Sequence, residues 1–217
     1  MPKTLNLNQG QRAERKTLIT AAEWIREYTV LTTEPSDWAT NYANYYTKSG
    51  DKYIRVSGTT APTFAADTYY QAEYDREVLG ARVEDSSIDL NPEIETMTDI
   101  LGKTYTDINK TEPQQTLDPS NVIGGSKISA YLYDAVIHNR ISAYNQAFNV
   151  YIISGFMGDA TNGYETVMHK DCSIIPTSIG GSAWVQMPLE IHFSNDIVSG
   201  TVDKLADDFV FTADVNI

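Results

Sequence analysis

The stretch Ile88-Asp-Leu-Asn-Pro-Glu-Ile-Glu-Thr-Met-Thr-Asp-Ile-Leu-Gly102, continued by Lys103-Thr-Tyr-Thr-Asp-Ile108, decides the fold class. Ile94, Thr96, Thr98 and Ile100 alternate with Glu95, Met97 and Asp99. A period of two puts successive side chains on opposite faces of a strand, so this is a half-exposed β-strand. Gly102 predicts a turn into a second strand.

Downstream, Asn109 to Asn121 is polar and carries Pro113 and Pro119, which predicts a loop. Ser126, after Gly124-Gly125, is a good N-cap for the one convincing helix. Ile128, Tyr131, Leu132, Ala135 and Val136 recur at helical spacing and form one buried stripe, with an end near Asn139-Arg140. The last third reads as strands. Val150–Ile153 is an apolar run closed by Gly155. In Ala183 to Phe193, Val185, Met187, Leu189, Ile191 and Phe193 face one way, and Gln186, Glu190 and His192 the other. Pro188 cannot donate to a ladder, which predicts an edge strand there. Phe209, Phe211, Ala213 and Val215 repeat the alternation. Paired strands, one helix, then a run of strands predict a mainly β chain: an antiparallel sandwich or barrel with one packed helix.

Upstream, residues 1–20 form a polar, basic arm, and residues 21–33 fit a short strand or a short helix. Residues 34–74 hold Glu-Pro-Ser-Asp-Trp38, Asn-Tyr-Ala-Asn-Tyr-Tyr46 and Ala-Asp-Thr-Tyr-Tyr70. The runs Tyr45–Lys48 and Lys52–Val56 flank Ser49-Gly50-Asp51, the pattern of a short hairpin. A tyrosine cluster of this kind suits a sugar platform or, with more weight, a small packed core. The expected division is an arm and first element over 1–33, an aromatic-rich β insert over 34–74, and a core domain over 75–217.

Hydrophobic residues make up 41% of the 217 positions and charged residues 21%, enough to bury a core. The formal charge is −13, yet residues 1–20 are net positive through Lys3, Arg12, Arg15 and Lys16. An acidic body argues against ordinary nucleic-acid binding, which neutralises phosphates with Lys and Arg. Cys172 is the single cysteine, so no disulfide can close within the chain. The first residues lack a continuous apolar signal core, which predicts a protein that stays in the cytosol unless it leaves as part of a particle.

A search for chemistry predicts no enzyme, no cofactor and no metal. His169 and Cys172 stand three apart, but a zinc site needs more ligands at tight spacing. His138 sits near the helix end, where a cation suits the dipole. Asp203, Asp207 and Asp208 lack the Gly and Glu of a calcium loop and read as a solvated acidic turn. Gly124-Gly125-Ser126 resembles a phosphate nest, but no Lys follows at Walker spacing. No nucleophile elbow occurs. A hydrolase built on His169 and nearby carboxylates is the weakest reading.

The run Ile88–Ile108 followed by Asn-Lys-Thr-Glu-Pro-Gln-Gln-Thr-Leu-Asp-Pro119 resembles the front half of the major tail tube proteins of bacteriophages. In that family, strands alternating Thr with acidic residues lead to a Gln-x-Leu/Phe-Asp-Pro loop and then a single helix. The later strands and a late acidic strand fit as well. The resemblance covers roughly residues 80–217, and the arm more loosely; residues 34–74 depart from it and are similar to aromatic add-ons of phage structural proteins. It implies a homohexameric ring that stacks into a tube around a tape-measure protein, capped by tail terminator and distal tail proteins, in a virion tail assembled in the host cytoplasm. DNA passes through without specific binding. Under this reading some of Glu95, Asp99, Glu190, Asp203 and Asp208 face the channel and repel phosphates, with the outer surface as the equal alternative. Lys3, Arg12, Arg15 and Lys16 form an arm for contact between rings. The competing expectations are a head–tail adaptor or tail terminator ring, and a carbohydrate- or receptor-binding module of a virion.

Overall fold

The computed structural model describes residues 6–57, 61–80, 83, 86–118 and 120–214. The chain is mainly β, with a large antiparallel sheet and one substantial helix. It divides into two compact units: Trp24–Asp75, and the rest of the chain on either side. Strands β1 (Leu18–Val30) and β4 (Tyr70–Val78) run through both. Of the segment 21–33, which fits strand or helix by pattern, residues 21–30 are strand, and residues 18–20 of the expected arm already belong to it.

In the larger unit β9 (Phe148–Asp159) and β10 (Gly163–Pro176) pair antiparallel. The other edge of β10 is shared. Tyr164–His169 pairs with β12 (Ile197–Val202), and Ser173–Pro176 pairs with β11 (Leu189–His192). Between these halves the register shifts, and Asp171 takes φ 52°. A bulge of this kind bends a strand, which lets one long strand serve two ladders at a corner of the fold. One ladder continues from β11 to β8 (Gln114–Leu117) and β5 (Ile88–Asp89); the other ends with β13 (Phe211–Ala213). A core of Ala21, Tyr151, Ile153, Val202 and Phe209 is packed by Ile19, Val78, Met168 and Leu205. Helix α2 (Lys127–Ile137) buries Ile128, Leu132 and Ala135, and Tyr131 meets Phe148 edge-on at 6.0 Å. The Ser126 hydroxyl accepts the Ser129 N–H at 3.2 Å, as the N-cap pattern predicts.

Three expectations are corrected. The segment 109–121 is not all loop: its start extends the strand before it, and Gln114–Leu117 is a paired strand beginning immediately after Pro113. Gln115, 1% exposed, holds it: its amide oxygen accepts from Thr20 at 2.9 Å and its amide nitrogen donates to Ser86 at 2.6 Å. Gly155 does not close β9. The strand runs through it because a Cβ there would meet Leu205 Cδ1 at 2.9 Å and the Thr17 carbonyl at 3.0 Å, a close approach that requires glycine. The alternation over 183–193 is not one strand: only Leu189–His192 is, and it is flanked on both sides rather than at an edge. Pro188 lies just before it, its carbonyl accepting from Thr177. Met187, Leu189, Ile191 and Phe193 are buried as the pattern predicts, whereas Val185 is not. Phe209 is buried ahead of β13, and Val215 lies outside the described residues.

In the smaller unit β2 (Tyr45–Ser49) and β3 (Lys52–Arg55) form the predicted hairpin, with Gly50 at φ 61°, and β2 also pairs with β4. Helix α1 (Trp38–Asn41) is a single turn. The core is aromatic: Trp38 lies 5.0 Å from Tyr45, 4.6 Å from Tyr69 and 5.5 Å from Phe64. The Trp38 indole donates to the Pro62 carbonyl and the Tyr45 hydroxyl to Asp37, so these two buried rings each have a polar partner.

Candidate functional site

Among the described residues of the larger unit, the most exposed element is the hairpin that carries the alternating Ile, Thr and acidic residues. Strands β6 (Pro92–Thr98) and β7 (Thr104–Thr111) pair, among the described residues, only with each other, and every residue of both is exposed. Asp99 makes the turn: its Oδ1 accepts the Leu101 N–H at 2.8 Å and the Lys103 N–H at 2.9 Å, and Gly102 takes φ 82°. Cross-strand partners share a face. Ile94 faces Ile108, Thr96 faces Thr106, and Thr98 faces Thr104, which gives one face with no charge and only β-branched side chains. Met97 faces Tyr105 and Glu95 faces Asp107 on the other, with Glu93 alongside and 3.8 Å from Lys110. Two carboxylates directly opposite each other destabilise an isolated pair.

The five candidate channel carboxylates fall on three separate elements. Glu95 sits mid-hairpin, accepting weakly from Asn109 at 3.4 Å, and Asp99 is at the tip. Glu190 lies in β11 with His192 Nε2 at 3.4 Å. Asp203 and Asp208 belong to the turn after β12, where Asp203 Oδ1 accepts the Val210 N–H and Asp208 pairs with Lys204 at 2.7 Å. The Lys204 ammonium holds the Asp208 carboxyl below its usual range. Asp99 and Asp203 are thus fold-forming groups, while Glu95, Glu190 and Asp208 meet the side chains of Asn109, His192 and Lys204. Asp207, from the same turn, accepts the Val78 N–H at 2.7 Å.

Of the arm, Lys3 lies outside the described residues. Asn6 is tied to β9 through the Phe156 carbonyl at 2.9 Å and the Gly158 carbonyl at 3.2 Å. Arg15 donates to the carbonyls of Ser86 and Leu18, so its guanidinium already serves this chain. Lys16 pairs with Glu14 at 2.6 Å, and Arg12 is exposed.

Three polar devices escaped sequence reading. Arg76 of β4 bridges to Glu23 of β1 and to the Phe209 carbonyl, with its guanidinium over the Phe209 ring at 4.1 Å; Asn149 and Tyr151 of β9 donate to the same Glu23 at 3.1 Å each. Burial, with Glu23 beside it, pushes the Tyr151 phenol well up. The second is the Gln115 network. The third is Glu77, whose carboxylate accepts the Lys127 and Ile128 N–H groups at 2.7 and 2.9 Å. It occupies the helix N-terminus that the Gly-Gly-Ser sequence offers to an anion, beside a cavity of about 260 Å³ lined by Arg76, Ser126 and Asp207. A single charge inside an apolar alternation, such as Glu23 between Ala22 and Trp24, is the signal that marks such a residue.

His169 is buried with Nδ1 2.8 Å from the Ser194 carbonyl, and burial pushes the Cys172 thiol up, away from reactivity. Among the described residues no group of three His, Cys, Asp or Glu side chains is placed to hold a metal ion, and no helix is long and apolar enough to cross a membrane. No protein-family model, no curated protein and no solved structure matches the chain.

Proposed function

We propose that the chain is the repeating subunit of a bacteriophage tail tube, a structural protein whose hexameric rings stack around a tape-measure protein and then conduct DNA. The observation that supports this reading best is the hairpin β6–β7. Two strands that pair with nothing else are marginal in water, and this pair carries opposed carboxylates as well. It gains what it lacks when a neighbouring copy covers it. The contact is between unlike surfaces, and such contacts close into rings or propagate into filaments. The terminal strands β13 and β3 leave edges that a neighbour's sheet can extend. The net charge of −13 suits a wall along which DNA slides without sticking.

The test is electron microscopy of the concentrated full chain, with mass photometry of the same sample when dilute. Hollow tubes of stacked sixfold rings are expected. Closed single rings at every concentration would replace this reading with an adaptor or terminator, and monomers throughout would leave a binding module.

A further inference from the structure

Trp184 is 78% exposed, whereas Trp24 and Trp38 are 2% and 4% exposed. An indole in water is costly, and this one is held there by construction. Gly180 and Gln186 exchange backbone hydrogen bonds at 3.1 and 2.6 Å, closing the segment between them into a tight loop. Gly181 sits at φ 146°, and a Cβ on it would lie 2.0 Å from the Trp184 carbonyl oxygen, so the loop closes only around glycine. The Val185 carbonyl accepts the Val122 N–H at 3.0 Å, and Met187 N–H donates to Ser120 at 2.7 Å, which fix the loop's base. Val185 and Val122 are exposed next to it in that ladder. A rigid apolar projection loses little entropy on docking, and tryptophan is the residue type most often found as an interface anchor.

We infer that Trp184 docks on the uncharged face of the β6–β7 hairpin of a second copy of this chain; this rests on the assembly reading above and names the contact within it. Avoidance of buried charge selects both the partner and the face. Two copies of a chain carrying −13 meet at least cost where neither must bury a carboxylate. From Thr177 to Leu189 there is no ionisable residue. The Ile94, Ile108, Thr96, Thr106, Thr98 and Thr104 face has none either, while the opposite hairpin face presents Glu93, Glu95 and Asp107. Area points the same way. One indole covers on the order of 200 Å², against about 800 Å² per partner in a stable interface. The indole is therefore an anchor within a larger contact, and the seven residues of β6 extend roughly 24 Å at about 3.4 Å each, room enough for the remainder. The two surfaces are unlike, so the contact is head to tail and repeats.

Trp184 is also its own reporter, because the other two tryptophans are already buried. Tryptophan emission and acrylamide quenching of the full chain, followed from dilute to assembled concentrations, should show a blue shift and loss of the quenchable fraction as particles form. Trp184→Ser and Ile108→Ser should each keep the monomer's melting temperature within a few degrees and raise the concentration needed for assembly at least tenfold. The double variant should do no worse than the weaker single one, since both remove one contact. Tubes in which Trp184 stays as quenchable as in the monomer would overturn this contact and leave the tail tube reading standing. A chain that stays monomeric at every concentration would overturn both.

Discussion

Gly200 shows how little slack the larger unit has. It pairs with Ala213 across β12 and β13, and a Cβ there would lie 2.3 Å from the Thr212 carbonyl and 2.7 Å from the Phe211 ring. Its φ is not in the left-handed region, so the constraint is space alone. Gly200→Ala should destabilise by about 2 kcal/mol, the usual cost of overpacking, read as a lower melting temperature. Gly124, with nothing within 4 Å of its would-be Cβ, is the control: Gly124→Ala should leave the melt unchanged. In the smaller unit, burial pushes the Tyr45 phenol up to about 12, and the Asp37 carboxylate 2.7 Å away adds to it. A folded pKa above the unfolded value of about 10 contributes stability that is complete below pH 10 and lost as pH rises towards 12. Asp37 is held below its usual range by bonds from Tyr45 and then Asn41, so its own contribution is present above the unfolded carboxyl pKa and lost as pH falls through the folded one. The near-ultraviolet signal of Trp38, packed on Tyr45, should therefore collapse in alkali alongside phenolate absorbance. Tyr45→Phe should move that collapse to higher pH; an unmoved transition would assign it to another group.

Elements were legible where one physical pattern governs them and illegible where two compete. The helix carries its cap, its stripe and its end in fifteen consecutive residues, and it forms where those signals predict. The 183–193 alternation is genuine as a burial pattern, yet Pro188 removes a ladder donor and the Gly180–Gln186 closure turns the chain away, so burial persists without a strand. The Gln114–Leu117 strand was hidden because one of its two inward residues is Gln115, polar in sequence and apolar in placement only through Thr20 and Ser86, which lie 95 and 29 residues away. Long-range pairing is also why Glu77 was invisible as a second cap on α2. Glu77→Ala should cost about 1 kcal/mol, the usual worth of a helix cap, and Ser126→Ala a similar amount, each measured by denaturant unfolding. The hairpin differs: its pattern and turn were readable, but a readable hairpin says nothing about what covers it. Its amides at 93–98 and 104–111 should exchange with solvent far faster than those of β9 and β10 in the dilute chain. In assembled particles they should become protected. Protection already complete in the monomer would remove the need for a neighbour.

For the whole molecule, the distribution of charge is the property that the tail tube reading must explain, and the structure narrows how to test it. The acidic excess can line a channel or only keep subunits soluble, and both uses predict exposed carboxylates. They differ when the charge is removed. Asp99 and Asp203 hold backbone N–H groups, so replacing them would perturb the turn of the hairpin and the segment before β13 and confuse any readout. Glu95, Glu190 and Asp208 meet the side chains of Asn109, His192 and Lys204 and can be neutralised together as Glu95→Gln, Glu190→Gln and Asp208→Asn. Losing Asp208 also removes the carboxylate bonded to Lys204, leaving its ammonium less neutralised, which sharpens the effect on a phosphate polymer. If these groups face the channel, tubes should still assemble while DNA ejection slows, and the slowing should fade as salt rises, because at about 0.15 M ionic strength screening acts over roughly 8 Å. Glu95 carries a second expectation of its own: removing its charge relieves the repulsion from Asp107, so the hairpin should gain protection in the monomer even as passage slows. Ejection at the original rate, from tubes built of a variant with three fewer negative charges per subunit, would place these carboxylates on the outer wall and leave solubility as the reason for the charge.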